Sequence, residues 1–373
     1  SLPLPWGSIS LPIAQFLLLL GSATILFFII SRVFPKRWAA VGAFIFIFLP
    51  FNLIHPTLIM SETLTEFLVT VYILVLFLRA DGLLFFLSCI LVLTRYAFLP
   101  CFGMTLILYI KNFRSVPIHH HLLSILGILL IASWILFNHS VNGSWTLSSV
   151  SGRHLYNNVV ATGHLDPPRS DPKTAFFFAH IPSDIWQNPT YPPWWEIQKY
   201  FSFKGLSEIE LDHMFLQIAV TTVLSHPIEY LTHLIRVAVV TPLTSPHFTK
   251  DNMSYLTRCD QSACSISWNS NLCTPVAMSC RVNKLFAKFI SLNQAFFPVG
   301  AALFYIIILM GIIFALTNGT FFWKWIASFF LVQHIFQSAT EWIEGRFLLP
   351  LYPLSLLLFL YGMKKIFHKT LYA

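Results

Sequence analysis

The chain has 373 residues, of which 56% are hydrophobic and only 10% charged, with a mean hydropathy of +0.70. That leaves too little polar surface for a soluble globule of this size, and an all-α polytopic membrane protein is expected. The net charge of +8 does not point to nucleic acid, because the basic residues are scattered between apolar runs instead of clustered with aromatics on one unit.

Nine apolar runs cover 11–30, 38–54, 63–78, 82–94, 96–110, 122–137, 297–316, 325–339 and 348–362. Each reads as a transmembrane helix. The chain then divides into 1–137 with spans one to six, a polar insert at 138–295, and 296–373 with spans seven to nine. Arg32, Lys36 and Arg37 follow the first run, Arg79 the third, and Lys111 and Arg114 the fifth. Lys324 precedes the eighth, and Lys364, Lys365 and Lys369 follow the ninth. With all nine runs spanning, these residues share one side, which the positive-inside rule makes cytoplasmic. The insert and the amino terminus are then outside, facing a bacterial periplasm or, as the alternative, the lumen of the endoplasmic reticulum.

The segment from Ser1 to Ser10, with Pro3, Pro5 and Trp6, reads as the end of an outer loop entering the first span. The second span ends near Pro50 and Asn52, and Ser61-Glu62-Thr63-Leu64-Thr65-Glu66 sets two carboxylates one helical turn apart at the outer mouth of the third. Acids at a span boundary need water, a partner or a function. Either Ser61 or Thr63 caps the helix and the acids favour its positive end, or Glu62 and Glu66 bind a substrate or a divalent cation.

The fourth span closes on Leu93-Thr94-Arg95-Tyr96, which places Arg95 at the outer mouth against the positive-inside bias. It either pairs with Glu62 or Glu66 or binds an anionic headgroup or phosphate. His119 to His121 lie on the inner side and read as a solvated turn.

Within the insert, Ser151-Gly152-Arg153-His154-Leu155-Tyr156 reads as a loop leading into a helix. Tyr191-Pro192-Pro193-Trp194-Trp195-Glu196 suits a membrane interface or, alternatively, a sugar-stacking surface. Residues 211–240 are amphipathic. Leu216, Val220, Val223, Leu224, Tyr230, Leu231, Leu234, Ile235 and Ala238 share one face, and Thr222, His226, Glu229, His233 and Arg236 another. This segment is expected in the outer unit, flat on the membrane or on the helix bundle. The His226, Glu229, His233 spacing could present a metal, but a solvated face is the simpler reading.

Cys259, Cys264, Cys273 and Cys280 crowd one polar stretch of the insert. They form disulfides in an oxidising compartment or a zinc site, and the absence of a CxxC pair favours disulfides. At the last outer boundary, Glu341-Trp342-Ile343-Glu344-Gly345-Arg346 packs two acids and an arginine around a glycine. This is a third charge cluster at the same mouth, as a shared polar cavity requires.

These motifs resemble GT-C glycosyltransferases, in the branch containing protein O-mannosyltransferases and aminoarabinose transferase. The resemblance runs through Ser61-Glu62-Thr63-Leu64, Leu93-Thr94-Arg95, Ser151-Gly152-Arg153-His154-Leu155-Tyr156, His226-Pro227-Ile228-Glu229-Tyr230-Leu231 and Glu344-Gly345-Arg346-Phe347-Leu348-Leu349-Pro350-Leu351-Tyr352-Pro353. It implies a membrane enzyme that moves a sugar from a polyprenyl-phosphate donor to a lipid, glycan or protein acceptor on the outer face. Arg95 and Arg346 are then the phosphate-binding candidates, with Arg153 a third. Glu62 and Glu344 are catalytic candidates, and Glu66 and Glu341 acceptor or supporting residues. No cofactor is required, with a divalent cation as an option, and membrane lipids but no nucleic acid are expected as partners.

The chain departs from the family in one respect. That family carries its catalytic acid, commonly Asp, in the first outer loop after an initial span, and here no acidic residue precedes Glu62. The expectation is that a span and its loop precede Ser1, an inactive relative being the alternative. From other classes, a noncatalytic assembly subunit or a transporter remains open. A transporter should show internal repeats or paired interrupted helices, and the sequence shows neither.

Overall fold

The computed structural model describes residues 7–48, 52, 61–148, 150–181, 193–194, 197–198, 206–240, 302–340 and 350–367. Among them 87% are helical and none is in a strand. The helices are α1 (Gly7–Val33), α2 (Lys36–Phe48), α3 (Glu62–Phe77), α4 (Asp81–Thr94), α5 (Leu99–Lys111) and α6 (Ile118–Asn142). They continue as α7 (Ser151–Tyr156), α8 (Pro172–His180), α9 (Glu208–Ser225), α10 (Pro227–Val240), α11 (Ala302–Asn318), α12 (Phe321–Thr340) and α13 (Tyr352–Ile366).

Every apolar run of the sequence is helical in its described part, as α1 to α6 and α11 to α13. Two stretches are long and apolar enough to cross a membrane, Ile13–Val33 with 21 residues and Ile118–Asn142 with 25. The other apolar helices are shorter or, like the 20-residue α12, less apolar. The 16 residues of α3, for example, reach about 24 Å at 1.5 Å per residue. α6 outlasts its expected end at Phe137 by five residues because the chain stays helical until Gly143, which takes the left-handed conformation (φ 71°) and donates its amide to the His139 carbonyl at 2.8 Å.

The core is one apolar cluster that draws on α1 to α5 and α11 to α13, with Leu26, Ile29, Tyr72, Ile73, Phe98 and Leu354 fully buried. α6 packs on α4 along the Gly82 and Gly127 positions and otherwise exposes Leu122, Ile125, Ile128, Leu129 and Phe137. A helix apolar on the side that faces away from its neighbours is at odds with water and suited to lipid.

The bundle has two chemically different ends. At one, the Lys364 ammonium reaches the Val33 carbonyl at 3.4 Å, and the Arg79 guanidinium lies 5.3 Å over the Phe321 ring. Phe34 meets Trp323 edge-on at 6.5 Å, and the Asn112 amide donates to Asp81 at 2.7 Å. These contacts gather the α1–α2, α3–α4, α5–α6 and α11–α12 turns and the end of α13. Arg32, Lys36, Arg37, Arg79, Lys111, Arg114, Lys324 and Lys364 therefore share one end. At the other end sit the amino terminus of α3, the carboxyl ends of α4 and α12, and the described part of the insert.

Helices α7 to α10 form a second apolar cluster around Tyr156, Phe177, Phe215 and Ile218. α9 starts at a capping box, in which the Ser207 hydroxyl accepts from the Glu210 amide and the Glu210 carboxylate accepts from the Ser207 amide.

Candidate functional site

Glu62 opens α3, and Arg95 follows the last residue of α4 in an extended conformation. The antiparallel packing of these helices brings the two side chains together, with Arg95 Nη1 3.7 Å from Glu62 Oε1 and both largely buried. Ser61 is itself in the helical region and makes no side-chain cap, but Glu62 does sit in the first turn of α3, where an acid is favoured, and it also pairs with the arginine. At 3.7 Å the two groups are ion-paired but farther apart than a charge-assisted hydrogen bond.

Glu66 lies one turn deeper and is buried. The Asn52 side chain lies against it, held by a 2.7 Å hydrogen bond from Nδ2 to the Phe46 carbonyl. Tyr352, at the start of α13, lies within electrostatic reach of it. Among the described residues Glu66 Oε1 has no hydrogen-bond partner. A buried carboxylate oxygen in that position is costly unless something else meets it.

The turn after Arg95 is held in place from two sides. Gln333 of α12 donates to the Ala97 carbonyl at 2.6 Å, and the Tyr96 ring meets His154 of α7 edge-on at 6.5 Å. The insert is tied to the same end of the bundle. Asn158 donates to the Ser338 carbonyl at 2.8 Å, and the Tyr230 hydroxyl donates to Ala339 at 3.0 Å. His233 donates from Nε2 to Asn158 Oδ1 at 3.1 Å. Asn157 and Asn158 belong to a π-helical segment (Asn157–Thr162), and such segments recur at functional sites.

Arg153 is 4% exposed and engaged within the insert. Its Nη2 donates to the Glu208 carbonyl at 2.9 Å and to the Glu208 carboxylate at 3.3 Å, and its Nε lies 3.8 Å from Asp212. The guanidinium stacks 5.0 Å over the Trp194 ring. Asp212 in turn accepts from the backbone amides of Gly152 at 3.1 Å and Arg153 at 2.9 Å. Burial pushes the Asp212 carboxyl above its usual range, opposed by the two amides and by the guanidinium. This arrangement pins α7 to α9, which is a scaffold role. The Trp194 ring is used in the same junction.

The remaining sequence candidates divide as follows. His233 is buried against Asn158, His226 bonds the Asp166 carbonyl at 3.1 Å, and Glu229 is exposed, so the stripe does not converge. Among the described residues no group of three His, Cys, Asp or Glu side chains is placed to hold a metal. Glu341, Glu344, Arg346, Cys259, Cys264, Cys273 and Cys280 lie outside the described residues. Cys89 and Cys101 are buried free thiols.

Sequence reasoning passed over Asn52, Asn158, Asp212, Gln333 and Tyr352 as site or supporting residues. Asn52, just past a proline-ended span, and Tyr352, within the Glu344 to Pro353 motif, carried a local signal. Comparison with protein-family models, curated proteins and solved structures returned no match.

Proposed function

We propose that the chain is a nine-span membrane glycosyltransferase that takes a sugar from a polyprenyl-phosphate donor and passes it to an acceptor on the outer face. The topology rests on the two unlike ends of the bundle. One gathers the basic turns, and the positive-inside rule assigns it to the cytoplasm. The other holds Glu62, Glu66, Arg95 and the insert, and faces the periplasm or the lumen.

The observation that carries the functional reading is the meeting of Arg95 with Glu62 above buried Glu66, at the end where the insert docks. A lipid-phosphate donor needs a cation for its phosphate and a carboxylate for the acceptor hydroxyl, both at the level where a lipid headgroup sits. In an inverting displacement the acceptor oxygen bonds to the sugar C1 as the C1–O bond to phosphate breaks. The phosphate leaves with that electron pair, held by Arg95 and Arg346, and the carboxylate takes the acceptor proton. Glu62 and Glu344 are the candidates for that base, and Glu66 and Glu341 would support the acceptor.

A second reading, a noncatalytic assembly subunit, is favoured by the direct pairing of Glu62 with Arg95, which a structural ion pair would also require. A transfer assay separates the two. With protein in liposomes, a radiolabelled polyprenyl-phosphate sugar and extracts containing lipid, glycan and protein acceptors, transfer of label to an acceptor with release of polyprenyl phosphate is expected from the parent. With Glu344 as the base, Glu344→Gln should lower turnover about 100-fold or more while donor affinity stays within a few-fold, whereas Glu62→Gln, which removes the partner of Arg95, should change donor affinity as well. Parent protein that binds the donor but never turns over, in the presence of extracts containing lipid, glycan and protein acceptors, would support the subunit instead.

A further inference from the structure

Helix α10 is packed the opposite way from a surface helix of a soluble protein. Its buried side is formed by His233 and Val237, whereas Ile228, Leu231, Ile235 and Val239 are 55% to 75% exposed. At 100° per residue these four positions fall on one face. Thr232, Arg236 and Glu229 flank that face along one edge, and all three are exposed. Water alone would reverse this arrangement, since burying His233 and exposing four large aliphatic side chains is unfavourable on both counts.

Contacts on the buried side set the height of the helix. Tyr230 reaches the Ala339 carbonyl at 3.0 Å, and the Ala238 carbonyl accepts from His334 at 2.9 Å. As α10 advances from residue 230 to 238 it therefore moves from the end of α12 down its flank. His334 lies six residues before Thr340, the last residue of α12, a depth of about 9 Å at 1.5 Å per residue. With the end of α12 taken as the membrane surface, this falls within the roughly 5–10 Å at which an amphipathic helix buries its apolar face between headgroups and acyl chains. α12 itself exposes Val332 and Ile335 close to the height of His334, so apolar surface of the bundle and of α10 falls at a similar level.

We infer that α10 is immersed edgewise in the outer leaflet, its Ile228, Leu231, Ile235 and Val239 face against phospholipid acyl chains and its Arg236 and Glu229 edge at the headgroups. This rests on the membrane reading above. It commits to bilayer lipid as the occupant because the face is level with the exposed flank of a helix in the bundle and is bordered by charge only on one edge. The insert is then not a free outer domain but one anchored in lipid next to the Arg95 turn, with the His233–Asn158–Ser338 bonds on the protein side of the same helix.

The test uses the whole protein in phospholipid vesicles. Ile235→Cys and Glu229→Cys are each treated with a membrane-impermeant maleimide, and modification is read by peptide mass spectrometry. Ile235→Cys should react at least tenfold more slowly than Glu229→Cys in vesicles and at a comparable rate after unfolding in dodecyl sulfate. Benzoyl-phenylalanine at position 235 should photo-crosslink to phospholipid. Equal rates in vesicles, or a crosslink to a second copy of the chain in place of lipid, would overturn the inference. Lys36→Cys and Asp166→Cys serve as topology controls. If both react from the same side the nine-span reading fails; if they react from opposite sides while Ile235→Cys reacts freely, only the lipid contact fails.

Discussion

Arg153→Met should destabilise the insert by about 3 kcal/mol, near the low end of what breaking a buried ion pair costs. Methionine fills much of the volume but leaves Asp212 facing an apolar side chain, the Glu208 carbonyl without its donor and Trp194 without its cation. Asp212 keeps the Gly152 and Arg153 amides, which is why the loss stays below the upper part of the range. Arg153→Lys should recover only part of the stability, because a point charge cannot reach Glu208 and Asp212 as the planar fork does. The readout is hydrogen–deuterium exchange across α7 and α9, where protection should fall while the core of α3 and α4 stays protected. If exchange is unchanged in Arg153→Lys and sugar transfer is nevertheless lost, Arg153 acts on substrate and its scaffold role is wrong.

Gly152→Leu should damage the same junction by a different route. A Cβ at position 152 would lie 1.9 Å from the Asp212 carbonyl oxygen and 2.8 Å from the Leu216 amide nitrogen, both backbone atoms of α9 that no rotamer change can move. The helices must separate, which breaks the hydrogen bonds that the Gly152 and Arg153 backbone amides donate to Asp212 together with the Arg153 side-chain contacts. Overpacking alone costs about 1–3 kcal/mol, and the coupled loss of the ion pair should carry this variant beyond Arg153→Met. Gly152→Ala is the milder probe, since it adds the same clash with fewer atoms. Thermal melting of Gly152→Ala at the parent temperature would mean that α7 and α9 are not in contact as described.

Much of the helical layout was legible because a period-free apolar run of this length has few alternatives to a helix. The runs at 63–78, 82–94 and 325–339 became α3, α4 and α12 with ends displaced by a few residues. The meeting of Glu62 and Arg95 was one of two readings open from sequence, since both sit at span mouths on the same side. Arg153 could not be read in that way. Its partners Glu208 and Asp212 lie 55 and 59 residues further on, and nothing local distinguishes a scaffold arginine from a phosphate ligand. The amphipathic pattern of α10 was also plain, but which face packs inward was not. Periodicity reports that two faces differ, whereas the solvent decides their direction, and lipid reverses the rule that holds in water. Asn158 was missed because an asparagine in a polar segment usually marks a loop, and the π-helical turn that aims it at Ser338 leaves no local signature.

We propose that Arg95 receives the phosphate of a lipid-linked sugar at the outer end of the bundle. This is tested most directly by the binding of a polyprenyl-phosphate sugar to purified protein and to Arg95→Lys, each beside a thermal melt, with Arg346→Lys as the parallel variant. One charged hydrogen bond to a phosphate is worth roughly 1.5–3 kcal/mol, so Arg95→Lys should melt like the parent and bind the donor about tenfold more weakly or worse. A normally melting Arg95→Lys that binds as tightly as the parent would make Arg95 only the structural partner of Glu62 and would contradict the account.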